Sequence, residues 1–360
     1  MAFDDVLTLR AGSGVRAVLE SHGLSPSQVG AMAGAAGGPK WLVLSALDQY
    51  LFGEWLAGDG ATQPIDLVGS SIGAWRFGAA CHPSDPAGAI AQLEHAYLNQ
   101  RYSEGAERDE ISATIRAILD AFLTDAVRDG VLAHPRYRLH VVTARSRLLT
   151  RSETRGLLAA GSAVGALSNA VSRRTLNWFF ERVLFSRDAR SVRWANDGLG
   201  RRTVELDGDN VRDAVFASGT VPLIMHGVVD PAGAPPGIYR DGGIVDYHIN
   251  QPLLGPDSAA PLVLMPHFDD RLVPGWFDKS LRWRRPRHAD NTLMIGPGPA
   301  LRERLVAGRV PDRKDFHRFA GRDDERLAAW RQAIDAGRPM RDAFIEFANA
   351  PDPVQYVKPL

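Results

Sequence analysis

Residues 67–76 read LVGSSIGAWR, an apolar run that ends at Gly69, before two serines and a second glycine. The apolar run predicts a buried strand, and the residues after Gly73 predict the start of a helix. Gly-x-Ser-x-Gly between a strand and a helix is the pattern of a nucleophile elbow, with Ser71 as the nucleophile. Glycines at 69 and 73 allow the strand and the helix to approach closely. The helix N-terminus offers amide donors to developing negative charge.

The same alternation of strand and helix patterns continues along the chain. Apolar, strand-like segments occur at 29–33, 65–68, 137–143, 203–206, 238–240 and 261–265. Helical patterns occur at 41–51, 72–81, 86–101 and 109–129. This alternation predicts an α/β fold, a three-layer α/β/α architecture with a mostly parallel central sheet. We expect one α/β domain at residues 1–270 and a basic, helical C-terminal extension at 271–360 packed on it.

Composition limits the class of protein. The chain has 360 residues, of which 45% are hydrophobic, and its 42 Lys and Arg balance its 42 Asp and Glu, so no global charge indicates nucleic-acid binding. The single cysteine, Cys81, excludes an intramolecular disulfide framework and a cysteine-based metal cluster. The N-terminal segment lacks the apolar core of a secretory signal, and the weakly apolar stretch 157–171 is too short to span a bilayer. We therefore expect a cytoplasmic protein with no metal and no cofactor.

A glycine-rich loop precedes the elbow. Residues 34–40 read GAAGGPK and lie between a predicted strand and a predicted helix. The amides of Gly37 and Gly38 in such a loop suit the oxyanion of a tetrahedral intermediate, whereas Pro39 has no N–H to donate. The segment matches neither glycine-rich nucleotide-binding pattern, so nucleotide binding is disfavoured.

A third motif, Arg240-Asp241-Gly242-Gly243, follows a strand-like segment. An aspartate at the carboxyl end of a strand can project into the cleft where α/β proteins place their ligands. Asp-Gly is also an ordinary turn dipeptide, so the motif alone leaves both interpretations open.

In this order, the three motifs resemble those of the patatin-like phospholipases. Members of that family are lipid acyl hydrolases that use a Ser–Asp dyad without a catalytic histidine. The sequence ASGTVP at 217–222 is similar to the Ala-Ser-x-x-x-Pro segment of the family, and the resemblance runs from about residue 29 to 265. It implies a serine esterase of lipid degradation, with Ser71 as nucleophile and Asp241 as general base. The resemblance also implies an oxyanion hole from Gly37, Gly38 and Ile72, and supporting roles for Gly69, Gly73, Lys40, Gly242 and Gly243.

Departures from the family pattern leave other functions open. Pro39 interrupts the oxyanion loop, and the segment after Asp241 carries Asp246, His248 and Asn250-Gln251-Pro252 in place of the usual asparagine and proline. One alternative is a Ser-His-Asp esterase, or an acyltransferase, that uses His267 just after the PLVLM strand. Another is a non-catalytic lipid-binding or scaffold protein on a hydrolase fold.

Two segments bear on the substrate. Residues 157–187 combine a Gly/Ala-rich helical pattern with three aromatic residues, Trp178, Phe179 and Phe180. The segment is typical of a core helix with a charged face, but the aromatic residues could instead line an acyl-chain groove or form a lid. Residues 271–318 hold 12 Lys and Arg against 5 Asp and Glu. The centre of that stretch, 281–288, has two interpretations: a solvated basic edge of the protein, or a surface for peripheral contact with the inner membrane face. The sequence predicts an acyl-ester lipid as substrate, no nucleic-acid partner and no particular oligomeric state.

Overall fold

The computed structural model describes residues 3–255, 258–284 and 286–360. Within them, eleven strands form one sheet. The strands are β1 (Leu7–Ala11), β2 (Val29–Gly34), β3 (Ile65–Ser70), β4 (Tyr137–Ser146), β5 (Phe180–Ser186), β6 (Arg201–Glu205), β7 (Val228–Val229), β8 (Ile238–Asp241), β9 (Leu262–Pro266), β10 (Thr292–Pro297) and β11 (Val357–Pro359). The α-helices are α1 (Phe3–Val6), α2 (Ser13–His22), α3 (Ser45–Tyr50), α4 (Ile72–Ala80), α5 (Pro86–Leu98), α6 (Arg108–Phe122), α7 (Asp125–Ala133), α8 (Arg155–Val171), α9 (Val211–Ser218), α10 (Pro299–Glu303), α11 (Asp315–Arg318) and α12 (Asp323–Ala348).

The sheet is mostly parallel and runs in the order β11-β1-β10-β9-β2-β3-β4-β5-β6. Its central strands β9, β2, β3 and the first part of β4 are mutually parallel, so their carboxyl ends lie at one edge. Strands β2 and β3 are buried along their whole length, as expected for strands covered on both faces. The expected α/β class is confirmed, and the arrangement is consistent with three layers.

Strands β3 and β8 meet end to end along the same edge of β4. β3 runs parallel to β4 and ends with Ser70 opposite Val142. β8 runs antiparallel to β4, and its last residue, Asp241, lies opposite the next residue, Thr143. Because the two strands approach from opposite directions, their carboxyl ends abut. Ser71, which follows β3, is thereby brought beside Asp241.

The C-terminal part of the chain belongs to the sheet, which corrects the expectation of an extension at 271–360 packed on a finished domain. β10 lies between β1 and β9, and β11 adds an edge strand next to β1. Helix α12 packs against α3 and the preceding 3-10 helix Gly38–Leu44. Local sequence does not reveal strand order, and for this reason the insertion of β10 was not predicted.

Two secondary-structure expectations are also corrected. The pattern at 109–129 forms two helices, α6 and α7, because the Thr124 side chain accepts a hydrogen bond from Val127 N–H (3.4 Å) and caps a new helix. The aromatic segment 172–185 is a 3-10 helix, Arg173–Trp178, followed by the buried strand β5. In the part of the chain that the structure describes, no helix combines the length and apolar character needed to cross a membrane.

Candidate active site

Ser71 lies in the sharp turn between β3 and α4. Its backbone has φ 54° and ψ −128°, a left-handed region that costs free energy for a residue with a side chain. Two glycines make the turn sterically feasible. A Cβ on Gly69 would lie 2.5 Å from the Ala74 backbone, and one on Gly73 would lie 2.2 Å from the Gly34 carbonyl oxygen. The predicted elbow geometry is therefore present, with both supporting glycines in close backbone contact.

The Ser71 hydroxyl donates a hydrogen bond to Asp241 Oδ2 at 3.0 Å. The other carboxylate oxygen, Oδ1, accepts the backbone N–H of Gly243 at 2.7 Å, and the Asp241 N–H donates to the Thr220 carbonyl at 2.9 Å. Both side chains are buried, with exposures of 2% for Ser71 and 5% for Asp241. The carboxylate is thus held from several directions and directed at the serine hydroxyl.

The ASGTVP segment joins the two halves of this dyad. Ser218 Oγ accepts the backbone N–H of Ser71 at 2.8 Å and donates to the Val142 carbonyl at 2.6 Å. Thr220, two residues later, supplies the carbonyl that holds Asp241. Sequence reasoning noted this segment only as a supporting motif, and the Ala-Ser-x-x-x-Pro pattern was the signal for it.

Arg313, which the sequence analysis did not identify, contacts the Ser71–Asp241 pair directly. Its Nη2 donates to Asp241 Oδ2 at 3.1 Å, the same oxygen that accepts the serine hydroxyl. Burial, the largest single cause, lowers the pKa of Arg313, but the combined effects of Asp241, Tyr97 and Tyr247 outweigh burial and the net shift is upward. No local motif marks this arginine, which stands in a loop after β10 within the basic stretch.

The loop glycines lie close to this cluster. Gly38 has φ +56°, and a Cβ there would lie 3.1 Å from Arg313 Nε. Within the residues described, no hydrogen-bond acceptor contacts the amides of Gly37, Gly38 or Ile72, so all three remain available as donors. Lys40 forms an ion pair with Asp269 at 3.4 Å, which anchors the loop.

His267 contacts neither Ser71 nor Asp241. Its Nδ1 lies 2.8 Å from the carbonyl oxygen and 3.0 Å from the backbone nitrogen of Asp269, and its ring meets His248 edge to face at 4.2 Å between centroids. Burial is the main cause that lowers the pKa of His267, to about 4. His267 therefore makes none of the hydrogen bonds that a Ser-His-Asp relay with Ser71 would require.

The predicted groove residues do not share one surface. Trp178 is 62% exposed, whereas Phe179 and Phe180 are buried in the core. In the segment 281–288, Trp283 and the flanking Arg282 and Arg287 are exposed, and residue 285 lies outside the described residues.

Space at the dyad is small. A cavity of about 10 Å³ reaches Asp241 and has room for about one water molecule. Tyr247, Trp276 and Arg313 form part of its wall. Entry of an ester therefore requires one of these side chains to move.

Comparison of the chain with models of known protein families gives no match, and comparison with curated proteins gives none. Among the described residues, no three His, Cys, Asp or Glu side chains are grouped as metal ligands would be. The case for a function therefore rests on the site itself.

Proposed function

We propose that this protein is a serine acyl ester hydrolase of the patatin-like type that uses the Ser71–Asp241 dyad. The observation that carries the proposal is the 3.0 Å hydrogen bond from the Ser71 hydroxyl to Asp241 Oδ2, made by two buried residues on abutting strand ends. A nucleophile in hydrogen-bond contact with a base, beside unsatisfied amide donors, is the arrangement that acyl transfer requires.

The reaction follows from these contacts. Asp241 accepts the hydroxyl proton as Ser71 Oγ attacks the ester carbonyl carbon, and the amides of Gly37, Gly38 and Ile72 stabilise the oxyanion. Collapse of the tetrahedral intermediate breaks the bond to the alcohol, which leaves with the proton from Asp241. Water then attacks the acyl-enzyme, transfers its proton to Asp241 and releases the acid, with Ser71 reprotonated.

Exposed apolar side chains support a lipid substrate. On α8, Leu157, Val164 and Val171 recur at seven-residue spacing and are all exposed. Trp178 and Trp283 are exposed as well, and Trp283 stands between Arg282 and Arg284. Large apolar groups beside basic residues favour an anionic membrane surface, so we place the enzyme in the cytoplasm, in peripheral contact with the inner membrane face.

The decisive test is labelling with a fluorophosphonate probe together with hydrolysis of a short p-nitrophenyl ester. Wild-type protein should be labelled and active, and Ser71→Ala should lose both. The matched control is Ser70→Ala, because Ser70 is buried one residue earlier and its hydroxyl has no hydrogen-bond partner among the described residues. Ser70→Ala should retain labelling. A folded wild-type protein that neither reacts nor turns over esters would establish the scaffold alternative.

A further inference from the structure

A second cavity, of about 610 Å³, lies beyond the dyad and contains neither Ser71 nor Asp241 in its wall. Its size falls within the range of small-molecule sites. The wall combines the end of α8 with loops around 196, 246–251 and 283–288. No step of the proposed hydrolysis uses it.

The acidic groups in this wall are already paired. Asp246 and Asp197 are both held by the buried Arg182, whose Nε donates to Asp246 Oδ2 at 2.6 Å and whose Nη2 donates to Asp197 Oδ2 at 2.7 Å. The remaining oxygens of the two aspartates also accept hydrogen bonds from Arg182. Each of the four carboxylate oxygens therefore already accepts a hydrogen bond from Arg182.

The amide oxygens in the wall are paired too. Asn250 Oδ1 accepts the backbone N–H of His288 at 3.0 Å, and Gln251 Oε1 accepts that of Ala195 at 3.1 Å. Asn196 Oδ1 accepts Gly198 N–H at 3.4 Å. These bonds leave the NH₂ groups of Asn250 and Asn196 without acceptors in the part of the chain that the structure describes.

Two arginines add unpaired positive charge. Arg173 and Arg284 are engaged with Asp278, but the guanidinium groups of Arg174 and Arg287 have no ion pair among the described residues. Arg174, Arg287 and Asn196 are exposed, so the cavity wall offers a ligand several donors that the protein does not pair, together with a net positive charge.

His248 supplies a buried donor of the same kind. It lines the cavity, is 1% exposed, and accepts Val273 N–H on Nδ1 at 2.8 Å. Burial holds the pKa of His248 well below its ordinary value, so the ring is neutral and its proton lies on Nε2. By strict hydrogen-bond geometry that Nε2 has no partner among the described residues, although the Arg271 backbone interacts weakly with the ring. A buried unpartnered donor is costly and indicates a missing acceptor.

We propose that this cavity binds a small ligand bearing a phosphoryl group, independently of ester hydrolysis. A phosphoryl group presents three or more oxygens around one centre, which suits several converging donors better than the two coplanar oxygens of a carboxylate. The volume leaves room for more than phosphate, and the exposed ring of Trp283 offers a face for an apolar or aromatic portion. The phosphoryl group belongs to a soluble metabolite or to a lipid headgroup.

The test uses Ser71→Ala protein, so that binding is measured without turnover and does not depend on the hydrolase proposal. Isothermal titration with phenyl phosphate, inorganic phosphate and benzoate, in buffer free of phosphate and sulfate, measures the dissociation constants. Flotation with phosphatidic acid vesicles, compared with phosphatidylcholine alone, separates a lipid headgroup from a soluble ligand.

The sharpest variant is Asn250→Asp, which keeps the acceptor for His288 N–H and replaces only the free NH₂ by a charged oxygen. We expect it to weaken phenyl phosphate or phosphatidic acid binding by more than about 10-fold, and Arg174→Gln with Arg287→Gln to do the same. The charge-matched control, Arg331→Gln with Arg338→Gln on the exposed side of α12, should change binding less than about two-fold. The proposal is overturned if neither phosphoryl probe binds, if benzoate binds as tightly as phenyl phosphate, or if Asn250→Asp folds and binds like its parent.

Discussion

One short segment, residues 241–248, contributes to two cavities of very different character. At its start, Asp241 faces a cavity of about 10 Å³ in which the charged and polar groups satisfy one another. At its end, Asp246 and His248 line a cavity of about 610 Å³ in which some donors have no acceptor among the described residues. The Ser71–Asp241 pair therefore lies beside a cavity with room for about one water molecule, whereas the large cavity has neither residue in its wall.

This difference follows from how each cavity is built. The dyad stands on strand ends whose positions are fixed by the pairing of β3 and β8 with β4. The large cavity is formed mainly by loops and the end of α8. Strand ends hold catalytic groups to the precision that chemistry requires, and loops can adapt to a ligand. Changes at the dyad should therefore cost activity, and changes at the loops should cost binding.

The largest effect should come from Asp241→Asn, which removes the base and leaves the shape of the site nearly unchanged. We expect kcat for a short ester to fall by about 10³- to 10⁴-fold with no loss of folding. His267→Asn is the comparison, because asparagine can still accept Asp269 N–H. It should retain kcat within about 10-fold. A His267→Asn enzyme as inactive as Ser71→Ala, beside an active Asp241→Asn, would replace the dyad by the histidine alternative.

The sequence was most informative where a motif and its context coincided. Ser71 directly follows strand β3 and Asp241 ends strand β8, as the elbow and the Asp-Gly-Gly motif predict, because the end of a strand and a glycine turn both have clear local sequence patterns. Arg313 has no such pattern, since 72 residues separate it from the aspartate that it contacts. The sequence did not predict strand β5, because the charged residues Glu181 and Arg182 within it are typical of the exposed face of a helix. Their charges are paired only by distant residues, such as Asp246 for Arg182.

The elbow itself should be intolerant of a single methyl group. In Gly73→Ala the new Cβ would lie 2.2 Å from the Gly34 carbonyl oxygen, a backbone atom that cannot move without shifting β2. We expect the free energy of unfolding to fall by about 3 kcal/mol or more in chemical denaturation. Gly78→Ala on the same helix is the matched control, because its Cβ meets only the Phe122 ring at 3.9 Å. It should be neutral or stabilising by up to about 1 kcal/mol. Equal stability of both variants would contradict the close packing behind Ser71.

The two buried histidines between the cavities should make the fold sensitive to acid. The pKa of His267 is lowered from 6.5 to about 4, mainly by burial, so between these pH values the unfolded chain binds a proton that the folded chain does not. The contribution of neutral His267 to stability is therefore fully present above pH 6.5 and is lost as the pH drops towards 4, by roughly 3 kcal/mol. His248 acts in the same direction. Denaturation curves of His267→Asn should show a shallower loss, and parallel curves would contradict the assignment.

Of the four predictions, the substitution of Arg313 should have the smallest effect, because this side chain positions the Asp241 carboxylate but does not itself react. Loss of its hydrogen bond in Arg313→Gln leaves Asp241 Oδ2 with the serine as its remaining partner among the described residues, so the carboxylate is held less firmly, mainly through Gly243 N–H on Oδ1. We expect kcat for a short ester to fall about 10- to 100-fold with KM changed less than about three-fold, and Arg313→Lys to recover part of the rate. Lys314→Gln removes the same charge from the next, exposed residue and should have no effect. A rise in kcat for Arg313→Gln would show instead that the arginine closes the small cavity against substrate, and the positioning role would be wrong.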